Sequence, residues 1–94
     1  MKFHNSIAII ESHSILSGYG KDTDKIIESE KKININQYNS KTLMRYKIDE
    51  ESFVVSNIYG NKFLILYETK PLSSIDSAVI NLILDYLSKL LKEE

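Results

Sequence analysis

The chain contains no cysteine, which excludes a disulfide framework, a thiolate metal site and a sulfur nucleophile. Nor is there an excess of charge: 12 Lys and Arg against 13 Asp and Glu leave a net −1. Nucleic acids and anionic membranes both select clustered basic surfaces, and the pair Lys31-Lys32 has Glu28 and Glu30 beside it. Neither a nucleic-acid nor a membrane partner is expected. Long apolar runs are missing too. The N-terminus, MKFHNSIAIIESHS, has only the stretch Ile7-Ala8-Ile9-Ile10 before Glu11, which is neither a secretory signal nor a membrane span. No Asn-x-Ser/Thr acceptor occurs. The expectation is a soluble, cytoplasmic protein whose 94 residues make one domain, 1–94.

Chemical signatures are equally scarce. Gly18-Tyr19-Gly20-Lys21 looks like a scrap of a phosphate loop, but Ile15 stands where the first glycine is needed and Asp22 replaces the magnesium-binding hydroxyl. A strand-end turn is expected there. His4 and His13 flank the first strand, roughly 25–30 Å apart if it is straight, too far to share a metal ion. Both are read as surface or edge histidines. The acidic groups Asp22/Asp24, Glu28/Glu30 and Asp49-Glu50-Glu51 lack the ligand spacing and glycine of a calcium loop. No serine lies in a G-x-S-x-G elbow. The six tyrosines are expected in the core and at its rim: around Tyr46, the bases Arg45 and Lys47 fall on the opposite strand face, which argues against a base-stacking platform. The reading is of a protein that is not an enzyme and carries no cofactor or metal.

What is present is periodicity. Residues 6–12, SIAIIES, form an isoleucine-rich strand, and Ser14–Gly20 a second one that closes a hairpin across a turn at His13. Lys21–Ile33 reads as a helix capped by Asp22 or Thr23, thinly apolar through Ile26, Ile27 and Ile33. Asn34–Ser40 is a polar loop. Lys41–Asp49 alternates, with Thr42, Met44, Tyr46 and Ile48 on its buried face. Ser52–Tyr59 and Lys62–Thr69 follow, joined by Gly60-Asn61, a tight-hairpin signal. The last of these strands is apolar on both faces, as a central strand covered on both sides would be. The fold class is α+β: a five-stranded antiparallel sheet, order β-β-α-β-β-β-α, flanked by helices.

Ser73–Glu94 has the strongest pattern. Ser73 and Asp76 provide a capping start. Ile75, Val79, Leu82, Ile83, Tyr86, Leu87, Leu90 and Leu91 recur at helical spacing, and with Ile80 and Leu84 the apolar arc reaches about 200°, against the ~100° that one sheet face needs. Ile80, Leu84 and Leu91 are therefore expected to be covered by a second molecule, or by the N-terminal arm Met1-Lys2-Phe3.

The opening hairpin IAIIESHSILSGYG, the helix KDTDKIIESEKKI, the meander TLMRYKIDEESFVVSNIYGNKFLILYET and the terminal amphipathic helix together resemble the roadblock and longin class of profilin-like domains. The resemblance is one of pattern and covers nearly the whole chain. It departs from roadblock proteins in lacking their usual extra first helix and in having Ser12-His13-Ser14 where Asp-Gly is common. The resemblance implies a non-catalytic module that forms homodimers and serves as platform or regulator for small Ras-like GTPases. It also implies an interface on the strand Thr42–Ile48, including Met44 and Tyr46, and on Ile26, Ile27 and Glu30. The alternative reading is a small-ligand-sensing domain with an apolar pocket between sheet and helix.

Overall fold

A computed structural model describes the backbone of residues 5–92 and the side chains of residues 5–90. The elements are β1 (Ser6–Glu11), β2 (Ser14–Tyr19), α1 (Thr23–Lys32), β3 (Met44–Ile48), β4 (Glu51–Tyr59), β5 (Lys62–Tyr67) and α2 (Ser74–Lys92), with a short 3₁₀ turn at Ile35–Tyr38. The five strands form one antiparallel sheet in the order β2-β1-β5-β4-β3. The fold is α+β with the expected element order.

Three tight turns set the register. Ser12-His13 and Asp49-Glu50 have positive φ at both residues, the geometry whose twist matches paired antiparallel strands. Gly60 supplies the positive φ of the third turn. A bulge opposite Ile9 and Ile10 shifts the β1–β2 pairing around Leu16. At the other end of β1, the Asn5 amide oxygen accepts from Thr69 N (3.0 Å), Thr69 Oγ1 (2.7 Å) and Lys70 N (3.2 Å). This fastens the start of β1 to the chain leaving β5.

Alternation along the inner strands splits the core into two layers. Ala8, Ile10, Phe53, Val55, Phe63 and Ile65 face α1, where Ile26 is fully buried among them. Across that face Tyr46, Phe53 and Tyr67, paired in register on β3, β4 and β5, form a ladder of rings with successive centroids 5.2 Å apart. Val54, Ile58, Leu64 and Leu66 face α2 instead. The thinly apolar α1 suffices because it lies over the small residue Ala8 and contributes one fully buried isoleucine, while the sheet supplies the large rings. Polar bonds hold it further: Ser29 Oγ donates to Ile26 O (2.8 Å) and lies 3.0 Å from Tyr46 Oη. Lys25 reaches Glu51 (2.9 Å), which also accepts from Tyr67 Oη.

The structure trims some expected elements. Lys41–Leu43 is not part of β3; there the chain is held to β4 by Asn57 N donating to Ser40 O (2.8 Å) and by Ser56 Oγ donating to Lys41 O (3.0 Å). Asp22 occupies the N-cap of α1, but its side chain makes no capping bond. The loop after α1 winds into the 3₁₀ turn, whose cap is the Asn34 side chain accepting from Asn36 N (3.2 Å). At α2 the expected capping holds: Asp76 N donates to Ser73 Oγ (3.1 Å) and Ser73 N to Asp76 Oδ2 (3.2 Å).

Candidate interaction surface

α2 divides its wide apolar arc into two stripes. Ile80 (1 % exposed) and Leu84 enter the core against β4 and β5, with Leu87 partly buried beside them. Ile75, Leu82 (69 % exposed), Ile83, Tyr86 and Leu90 lie outside. At ~100° per residue these five span about 100° of the helix, a second stripe contiguous with the first. It extends over 16 residues, about 22 Å. The polar sector turns toward β3 and the segment leading into it: Ser77 shares a cavity with Leu43, Met44 and Arg45, and Lys41 Nζ is 3.4 Å from Ser88 Oγ.

Of the outer stripe, Ile83 borders the half of the sheet that α2 leaves open. α2 packs on β4, so the β1–β2 half of that face is covered only at its margin. The result is a groove with a cavity of about 210 Å³, its floor formed by Ile7, Ile9 and Tyr19 and its wall by Ile83 and Leu87. Beyond it lies β2, an edge strand exposed along its length, with Leu16 and Tyr19 open to solvent and no charged residue. The opposite edge, β3, carries Arg45 and Lys47, charges of the kind that discourage strand addition.

The residues proposed from sequence as an interface are placed differently from expectation. Ile80 and Leu84 are covered by the protein's own sheet, not by a second molecule, because β4 and β5 present Val54, Ile58, Leu64 and Leu66 to them. Leu91 is within α2, but its side chain lies outside the described residues, as do Met1-Lys2-Phe3. Ile26 and Glu30 are buried beneath α1 and cannot form a helix–helix contact between molecules; Ile27 is half-buried. Tyr46 is buried in the ring ladder. Of the strand positions, Met44 is 38 % exposed, at the start of the β3 edge. The apolar surface that does face solvent, Leu82, Ile83, Tyr86 and Leu90, has the same residue types and spacing as the buried stripe. Only the position of α2 over β4 distinguishes them.

A second feature, polar in character, lies at the other end of the α1 face. His13, at the β1–β2 turn, sets its Nδ1 2.8 Å from Glu30 Oε1 and 3.0 Å from Oε2. The imidazole is 69 % exposed and the Glu30 side chain 1 %. Both line a cavity of about 260 Å³ together with Ser12, Asn34, Asn36 and Asn61 over a floor of Ile10 and Phe63. The sequence held no sign of this pairing, since the two residues are 17 apart and follow no motif spacing. His4 lies outside the described residues. Among the described residues no group of three His, Cys, Asp or Glu side chains is arranged to hold a metal ion, and no helix is long and apolar enough to cross a membrane.

Comparison with protein-family models, with curated proteins and with solved structures returns no significant match in any of the three.

Proposed function

We propose that this chain is a non-catalytic protein-interaction module that pairs with a second copy of itself through the outer stripe of α2 and the groove beside it. The observation that carries this is the exposure of Ile75, Leu82, Ile83, Tyr86 and Leu90 in one uninterrupted stripe, a contiguous apolar surface of the kind found at interaction sites. A second copy suits it. The stripe has the three-and-four spacing of a helix–helix seam, so two of them can interdigitate about a two-fold axis, each ridge in the other's groove. It carries no charge to repel its own image, and the net charge of −1 adds little long-range repulsion.

Light scattering on the eluting protein at tens of micromolar tests this. The expected mass is twice that of the chain, and Leu82→Glu combined with Tyr86→Glu returns a folded monomer whose melting temperature no longer rises with protein concentration. A monomeric wild type, or a dimeric double variant, overturns the reading. The resemblance to roadblock and longin domains adds a role as platform for a small Ras-like GTPase, which binding assays against purified GTPases in both nucleotide states address.

The groove between Ile83, Leu87 and the β1–β2 floor also supports a second reading, a domain that senses a small apolar ligand. A thermal-shift screen against apolar metabolites separates it from the first: a ligand that stabilises the Leu82→Glu, Tyr86→Glu monomer favours sensing.

A further inference from the structure

Glu30 is a carboxylate withdrawn from water in the last turn of α1, and among the described residues its side-chain partner is the imidazole of His13 alone. An ionised carboxylate accepts about four hydrogen bonds. Here one Nδ1 is shared between both oxygens, at 2.8 and 3.0 Å. Buried charge is stable only when it is paired and its remaining acceptor capacity is met. The group also lines a cavity of about 260 Å³, so a donor arriving from solvent through that cavity can reach it.

The surroundings have the same sign. The cavity is bordered by Ile33 and Asn34, where α1 ends and its last carbonyl groups carry the negative end of the helix dipole. The basic residues of that turn do not offset this from within: Lys32 is drawn off to Asp49 on the neighbouring turn (3.3 Å), and Lys31 is exposed and does not line the cavity. Ser12, Asn36 and Asn61 place oxygen-bearing side chains around the cavity, above the apolar floor of Ile10 and Phe63. A negative base, polar walls and an apolar floor describe a host for a small amphipathic cation. With one carboxylate and one imidazole the set is too small for a metal ion, which needs more protein ligands.

We infer that this pocket binds a small organic cation, an ammonium or guanidinium on a short aliphatic body, with its charged head on Glu30 and its body on Ile10 and Phe63. His13 occupies the mouth as the internal competitor: its imidazole holds the carboxylate when the pocket is empty and swings toward solvent when a cation takes its place. The site faces α1, on the opposite side of the sheet from the α2 groove, and is independent of self-association.

The test is an amide ¹H–¹⁵N titration of the full chain with n-butylammonium and n-butylguanidinium, with butyrate and n-butanol as charge-reversed and neutral controls. The expected result is saturable shifts at Ser12, Asn34, Asn36 and Asn61 with the two cations and not with the controls. Glu30→Gln weakens cation binding by about tenfold or more, the value of a charge-assisted hydrogen bond. His13→Ala removes the carboxylate's internal partner at some cost in stability, and the folded variant, checked by its dispersed amide spectrum, binds the cations as tightly as wild type or more tightly. The inference is overturned if neither cation saturates, if butyrate or butanol matches them, if folded Glu30→Gln binds as wild type does, or if His13→Ala loses binding. Should Glu30→Gln fail to fold, the ligand series and His13→Ala decide alone.

Discussion

Arg45 grips Glu68 with two parallel hydrogen bonds, Nε to Oε1 and Nη2 to Oε2, each 2.9 Å. The arginine is on the edge strand β3 and the glutamate just beyond β5, so the pair spans β4 between them. Glu68 Oε2 also accepts from Leu72 N (3.0 Å), which ties the edge of the sheet to the connection into α2. The Arg45 guanidinium, with that backbone amide, holds the Glu68 carboxyl below its ordinary value.

A folded carboxyl that releases its proton more readily than the unfolded one contributes stability above the unfolded value, about 4.3, and loses it as pH falls through the lower folded value. Glu68→Gln is therefore expected to cost about 1–2 kcal/mol near neutral pH, reduced from a fully buried pair because Arg45 is half exposed. The difference from wild type should shrink below about pH 4. Urea unfolding of both proteins at pH 7 and pH 3 measures it; an equal gap at both values would falsify this assignment.

Tyr46 gives the opposite pH dependence. Burial pushes its phenol up to about 12. Because the Ser29 hydroxyl already donates to Ile26 O, the Tyr46 hydroxyl must be the donor to Ser29, and ionisation destroys that bond. The folded value is raised, so the contribution is complete below the unfolded value of about 10 and is lost as pH rises from there to about 12. Tyr46→Phe should cost about 1 kcal/mol at neutral pH and flatten the alkaline decline in stability. Denaturant midpoints at pH 7, 10 and 11.5 check both.

Neighbouring positions on α2 should respond in contrasting ways. Ile80→Ala opens a cavity among Val54, Leu64 and Leu66 and is expected to cost about 2–5 kcal/mol. Leu82→Ala removes an exposed side chain and should change monomer stability by less than about 0.5 kcal/mol. Unfolding at submicromolar concentration, where association is weakest, separates the two. Equal losses would mean that α2 is rotated from the position described.

Two glycines differ similarly. A Cβ at Gly20, where φ is +104°, would lie 2.4 Å from Ser6 Oγ and 2.8 Å from Ser6 Cα, and Ser6 Oγ is bonded to Asp22 N. Gly20→Ala is expected to lower the melting temperature by about 8–30 °C, from about 2–4 kcal/mol of combined strain and lost bonding. At Gly60, where φ is +59°, a Cβ meets nothing, so Gly60→Ala carries only the left-handed penalty of about 1–2 kcal/mol. A calorimetric scan of each ranks them.

The elements were legible in the sequence because each has its own period: two along β3, three and four along α2, unbroken apolarity in the doubly covered β5. Strand order was not, since no local pattern says that β1 pairs with β5. Without it, Ile80 and Leu84 could not be told from Leu82 and Tyr86, and the wrong half of the arc was assigned to a partner. Glu30, an interface residue by the resemblance to roadblock and longin domains, is buried instead. A charged residue on a polar helix reads as exposed, whereas here a histidine 17 residues away lets it be buried. The breadth of the apolar arc was the one site feature that sequence alone revealed.

The bond network of Asn5 and the pairing of β1 with β5 also govern how the chain assembles. The hairpin β1–β2 with α1 and the meander β3–β5 with α2 are each continuous in sequence, yet the seam between them runs through the middle of the sheet. During synthesis the first half must wait for the last strand before its central edge is paired, a long-range closure of the kind that slows folding. Until then the Ile7-Ala8-Ile9-Ile10 strand stands unpaired on one side, and the newborn chain is most exposed to association with its neighbours at the very segment that later becomes its core.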